Sequence, residues 1–130
     1  MRKFYTSILL TLVCQLALAQ WPANYDGVML QGFYWDSYDD TQWTNLTAQA
    51  DELSKYFDLI WVPNSANCHQ AQSMGYMPVY WFDQRSSFGR EKQLRTMIET
   101  FKEKGTGIIE DVVLNHKAPY GKDRSEGAHV

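Results

Sequence analysis

Three polar side chains crowd the end of the last apolar run of the sequence. Asp111 lies within Ile108 to Leu114 (IIEDVVL), and Asn115 and His116 follow it directly. A carboxylate among apolar residues is costly unless it is paired or hydrogen-bonded. In a strand, Asp111 shares a face with Ile109 and Val113. It is therefore expected to point into an interior that holds a partner, such as an arginine from outside these 130 residues. Asn115 offers an amide oxygen suited to a hard cation such as calcium. His116 can donate a hydrogen bond to a hydroxyl. A second cluster lies upstream, in the long irregular stretch from Asn64 to Ser87, which carries Gly75, Pro78, Tyr76, Tyr80, Trp81 and Phe82. A loop of that length in a compact domain is usually functional or disordered. Its aromatic content argues against disorder. A third group, Gln31, Phe33, Tyr34, Trp35 and Asp36, ends the first apolar run.

Regular elements must position these groups. Gly27 to Trp35 (GVMLQGFYW) is apolar and bounded by turn residues, which predicts a buried strand. Leu46, Ala50, Leu53 and Phe57 recur at helical spacing and predict a helix over Thr44 to Phe57, with Thr44 able to cap it. Leu59 to Val62 (LIWV), stopped by Pro63, suits a strand buried on both faces. Leu94, Met97, Ile98 and Phe101 mark a helix over Glu91 to Lys104. Glu91 and Lys102 complement its dipole, and Gly105 ends it. Ile108 to Leu114 is the third strand. The order β, α, β, long loop, α, β implies parallel strands joined by right-handed crossovers. All three polar clusters then fall at the C-terminal ends of strands, where α/β sheets carry function.

Composition narrows the function classes. The 130 residues have a formal net charge of −3, which argues against nucleic acid as a partner. Aromatic residues make up 15% of the chain, enough for both a core and flat ligand-stacking faces. The N-terminus has the form of an export signal: Arg2 and Lys3, a short apolar stretch through Leu16, then Ala17-Leu18-Ala19. Residues 1–19 are expected to be removed, and the product to be secreted or periplasmic. The apolar run is too short for a bilayer span, which needs about 20 residues. Loss of Cys14 with the signal leaves Cys68 without an internal disulfide partner.

The ordered motifs resemble the alpha-amylase family (glycoside hydrolase family 13). Asp111-Val112-Val113-Leu114-Asn115-His116 is similar to the DVVxNH signature closing that family's third strand. Gly27 to Phe33 resembles its first strand, and Leu59 to Pro63 its second. Gly75-Tyr76-Met77-Pro78, with Tyr80 and Asp83, resembles its GYxPxxxYD-like segment. Phe88-Gly89 and Leu94 match the lead-in to its third helix. The likeness covers roughly Gly27 to Lys122. It implies the first three β/α units of a (β/α)8 TIM barrel, which is incomplete here since such a barrel takes about 250 residues. Residues 20–130 would then be the N-terminal part of the catalytic domain, ending at the start of the loop or inserted domain after strand three. The implied activity is retaining hydrolysis of alpha-1,4-glucans such as starch, glycogen and maltooligosaccharides. By the same resemblance His116 would hydrogen-bond the sugar next to the cleaved bond, and Tyr76 would stack on a sugar ring. Asp111 would be a supporting acid, and Asn115 a ligand of a structural calcium. No protein partner is implied.

Plainer readings hold elsewhere. Tyr34 and Trp35 are expected to pack at the rim, and Asp36 to be a solvated acid. The sequon Asn45-Leu46-Thr47 falls on a helix. Cys68 and His69 build no metal set. Two positions depart from the family pattern. Glu110 would face the outer helices, where it needs a partner, and Thr106-Gly107 is unusual before a strand. In the family the catalytic carboxylates follow later strands, so this chain alone is expected to be inactive. Three barrel strands alone also leave edges unpaired and one apolar face uncovered. The alternative is a secreted, non-catalytic carbohydrate-binding protein that uses the aromatic loop.

Overall fold

The computed structural model describes residues 25–119; the expected export signal and the polar stretch after Pro119 lie outside it. In chain order the elements are β1 (Met29–Gln31), α1 (Trp43–Ala48), α2 (Ala50–Leu53), β2 (Leu59–Val62), β3 (Asn67–Cys68), β4 (Pro78–Tyr80), β5 (Arg85–Ser86), β6 (Gly89–Arg90), α3 (Glu91–Glu103) and β7 (Gly107–Glu110). β1, β2 and β7 form one parallel sheet in the order β1-β2-β7. Leu30 pairs with Ile60, and Ile60 with Ile108.

That register decides which side chains meet the helices. Leu30, Ile60 and Ile108 share one face, together with Val62. Ile60 and Val62 are fully buried there among Trp43, Leu46, Ala50, Phe88, Leu94, Met97 and Phe101. The opposite face carries Met29, Gln31, Trp61 and Ile109. Met29 and Gln31 are exposed on it, while Phe33 packs edge-on against Trp61 at 5.3 Å. Within the described residues the sheet is thus covered on one face and open on the other. Among those residues no helix is long and apolar enough to cross a membrane.

Several elements differ from the sequence-based expectation for local reasons. The first strand is three residues long, not nine. A last ladder bond runs from the Gly32 amide to the Trp61 carbonyl at 2.8 Å, and the chain then turns away. The first helix starts at Trp43, whose amide donates to Phe88 O at 2.9 Å, so Thr44 is not its cap. It breaks at Gln49 (φ −95°, ψ −1°) into two short pieces. Thr47 Oγ1 donates back to Trp43 O at 2.6 Å, a bond that loosens a helix interior. The Asn45 sequon does lie on α1.

The third strand stops at Glu110. Asp111 N donates to Val62 O at 2.9 Å as the last bond between the two strands, and the chain leaves the sheet after it. Asp111 therefore sits at the strand's end rather than inside it. Helix α3 matches closely, although Ile98 is partly exposed at the edge of its stripe. Gly105, at φ 82°, terminates it in the left-handed region that favours glycine. The long loop is ordered by two small antiparallel ribbons, β3-β4 and β5-β6.

Candidate functional site at the strand ends

The site begins with an amide. Asn64 follows Pro63 at the end of β2 and is only 2% exposed. Its Nδ2 donates to Gly75 O at 2.8 Å, and its Oδ1 accepts from Ala66 N at 3.0 Å. Both ends of the amide are used, as burial requires. Gly75 has φ 98°, and a Cβ there would lie 2.6 Å from Asn64 Cβ. No other residue fits that position without displacing the backbone. The clamp returns the long loop to the sheet just before Tyr76.

Tyr76 is then fixed from two sides. Its hydroxyl donates to Asp111 Oδ2 at 3.0 Å. Its carbonyl lies 2.7 Å from His116 Nε2. A carbonyl only accepts, so Nε2 carries a proton and donates it, and Nδ1 is the ring nitrogen left over. Thus, among the described residues, Asp111 finds a partner in the Tyr76 phenol. His116 spends its Nε2–H within the protein, which leaves Nδ1 for an incoming group. Burial first, then the hydrogen bond to Asp111, raise the Tyr76 phenol above its ordinary 10.0. Tyr76 therefore stays protonated, and its bond to Asp111 intact, across the neutral range. The linked stabilisation is present below pH 10 and is lost as pH rises through the raised value.

The segment after β7 is pinned at further points. Trp81 Nε1 donates to Val113 O at 3.0 Å, and Ala118 N to Pro78 O at 2.8 Å. Glu110, the charge expected to need a partner, accepts from Ser65 N at 2.7 Å and from Ser65 Oγ at 2.5 Å. Asp83 Oδ2 accepts from Asn67 Nδ2 at 2.9 Å and pairs with Arg85, which joins β3 to the turn before β5.

The structure thus brings Tyr76, Asp111 and His116 together. Asn115 is exposed beside them and is not part of that network. Among the described residues no group of three or more His, Cys, Asp or Glu could hold a metal ion. Cys68 is free and half-buried, and burial pushes its thiol up, away from the reactive thiolate. Trp35, expected to pack at the rim, lies against the site. The Trp35 ring lies nearly parallel to that of Tyr76, with centroids 6.1 Å apart and planes at 11°.

No family model matches the chain. Individual proteins do. Probable alpha-amylase 2 of Arabidopsis thaliana is 27% identical over 101 residues, covering 77% of this chain and 24% of the relative. Glucan 1,4-alpha-maltohexaosidase of Bacillus sp. (strain 707) is 29% identical over 112 residues, covering 78% of this chain and 21% of the relative. Among solved structures, the alpha-amylase of Geobacillus thermoleovorans complexed with acarbose matches with a TM-score of 0.55 and 22% identity, over 60% of this chain and 18% of that one. The chain thus spans about a quarter or less of the proteins it matches, and its α/β fold is that of part of an alpha-amylase.

Two results are expected from this geometry. Asn64→Ala leaves Gly75 O and Ala66 N buried without their partner. At about 1–3 kcal/mol for each such group, it should cost about 2–6 kcal/mol in urea unfolding of the intact protein. A change within about 0.5 kcal/mol would contradict the clamp. Spectrophotometric titration, with Tyr76→Phe identifying the signal, should show this phenol titrating above 10.0, and Asp111→Asn should move it back down. No movement would show that Asp111 does not hold it.

Proposed function

We propose that this chain, a relative of the alpha-amylases, forms the sugar-binding wall of a glycoside hydrolase acting on alpha-1,4-glucans. The observation that carries the proposal is the fixed Tyr76 ring. It stands at the C-terminal ends of parallel strands, held by Asp111 below and His116 beside it. A flat aromatic face bordered by a ring nitrogen suits a pyranose, which offers an apolar face and a rim of hydroxyls. Tyr76 would stack on the sugar, His116 would bond a hydroxyl through Nδ1, and Asp111 would orient Tyr76 without touching the reacting atoms. The maltohexaosidase and acarbose-bound amylase named above support a glucan ligand.

In this reading the three parallel strands are the first three units of a (β/α)8 barrel, within a domain running from residue 20 to at least residue 130. Retaining hydrolysis takes two carboxyl groups about 5–5.5 Å apart, a nucleophile and an acid/base. Asp111 is already bonded to Tyr76 and is neither. Both would come from barrel segments beyond these three strands, and the 130 residues by themselves would not turn over starch. Calcium would be structural, with the exposed amide oxygen of Asn115 as one donor. The described residues gather no carboxylate set for it, so its other ligands would lie outside them. The protein would be exported, with residues 1–19 as the cleaved signal.

A reducing-sugar assay on the intact protein tests the reading. Starch should be hydrolysed, and Tyr76→Ala should lower kcat/KM at least about tenfold, a loss of about 1.4 kcal/mol of transition-state binding. Glucan binding without any hydrolysis would favour the non-catalytic alternative. Absence of both binding and hydrolysis would overturn the reading.

A further inference from the structure

We infer that Glu110 is a positioning residue of the sugar-binding wall. Through Ser65, Gln84 and Trp81 it closes a ring of hydrogen bonds around the segment that carries Asp111, and so fixes where Asp111 meets the Tyr76 hydroxyl. Its bearing on catalysis rests on the alpha-glucan reading above.

The ring can be followed bond by bond. Glu110 Oε1 accepts from Ser65 N at 2.7 Å and from Ser65 Oγ at 2.5 Å. Ser65 Oγ is also bonded to the Gln84 side chain. Gln84 Nε2 donates to Trp81 O at 2.9 Å, and Trp81 Nε1 donates to Val113 O at 3.0 Å. Val113 lies three residues past Glu110, so the main chain completes the circuit with Asp111 inside it. Ser65 is 2% exposed, and its buried amide and hydroxyl need these partners.

The stretch has few other restraints. Its last bond to the sheet is at Asp111 N, and beyond that point Val112 and Leu114 are exposed while Val113 is buried. The Asp111 carboxylate must nonetheless arrive 3.0 Å from the Tyr76 hydroxyl. The bonds at Glu110 and Val113 give it a fixed point on either side.

The chemistry of position 110 points the same way. Glu110 pairs in register with Val62, so it shares the helix-side face with Ile60 and Ile108. An apolar side chain would complete that face, and a carboxylate beside it carries a desolvation cost. What the acid adds is one acceptor on which two donors of Ser65 converge. Hydrogen bonds to an ionised acceptor are roughly twice as strong as neutral ones. An acid at the edge of an apolar face, bonded to the loop that bears the site, serves position rather than packing.

The test is spectrophotometric titration of the Tyr76 phenol in the intact protein, identified by Tyr76→Phe, together with starch kinetics. Wild type is compared with Glu110→Ala, Glu110→Gln and Ser65→Ala. Glutamine keeps an acceptor oxygen for Ser65. Ser65→Ala removes one bond and keeps the amide one, and it carries the test if urea unfolding shows that Glu110→Ala does not fold. Glu110→Ala should bring the phenol down toward its ordinary 10.0, and Ser65→Ala part of the way. Glu110→Gln should stay near wild type. On starch, Glu110→Ala should lower kcat/KM about three- to tenfold. That loss should shrink below about twofold in a Tyr76→Phe background, since residues that act through one bond are not additive. An unmoved phenol in Ser65→Ala, and in Glu110→Ala where it folds, overturns the inference and leaves the glycosidase reading standing. A glutamine variant that behaves like alanine does the same. So does an equal loss of kcat/KM with and without the Tyr76 hydroxyl, the mark of a merely structural residue. A phenol that moves as expected in a protein that neither binds nor hydrolyses starch overturns the glycosidase reading and leaves Glu110 as the residue that positions Asp111 against Tyr76.

Discussion

A single buried amide holds the site in place. Asn64 bonds to Gly75 O and Ala66 N, and so ties a long excursion of chain to the end of the central strand. The tie acts with the two antiparallel ribbons that order the loop, and sets where the chain re-enters the site just before Tyr76. With it, the ring is delivered to within hydrogen-bonding reach of a residue 35 positions downstream. Gly75 is the counterpart of the same constraint. The backbone approaches Asn64 too closely for a Cβ and adopts a φ that side chains disfavour. Asparagine and glycine here are two halves of one device.

The sheet supplies the frame for that device. Its helix-side face is filled by Ile60 and Val62 under α1 and α3, and this fixes where β2 and β7 end relative to each other. The Asp111 amide makes the last bond between the two strands, so its carboxylate starts from a fixed point. Tyr76 then satisfies that carboxylate, and His116 caps the Tyr76 carbonyl. Packing thus sets the strand ends, hydrogen bonds set the ring, and the ring is what a sugar would meet. The opposite, open face of the sheet, with Met29 and Gln31 exposed, fits a chain whose remaining partners lie beyond the described residues.

Much of this was legible in the amino-acid sequence, and the failures are instructive. Leu59–Val62 was read to the residue because an apolar run stopped by proline has one strand-like solution. Helix α3 was read to within one residue because its stripe, end charges and terminal glycine agree. The first helix was not, because Thr47 back-bonds to the main chain and Trp43 takes its cap from Phe88, a residue 45 positions away. The third strand is expected to be longer because the apolar run continues to Leu114, past the last inter-strand bond at the Asp111 amide. Tyr76, Asp111 and His116 were named from motifs, yet their mutual bonds could not be, since these depend on the Asn64 clamp. Trp35 is expected to pack at the rim, and its ring does lie against that of Tyr76. Its positive-φ neighbour is aspartate, which gives no glycine signal, so the turn that displays it leaves no clear mark in the sequence.

The most direct measurement is a crystal structure of the intact protein with bound maltohexaose. The account predicts a glucose ring stacked on Tyr76 with carbon contacts of about 3.5–4.0 Å, a hydroxyl on the free nitrogen of His116, and Asp111 still bonded to the phenol. Sugar bound elsewhere, with the Tyr76 ring left bare or turned away from the strand ends, would contradict it.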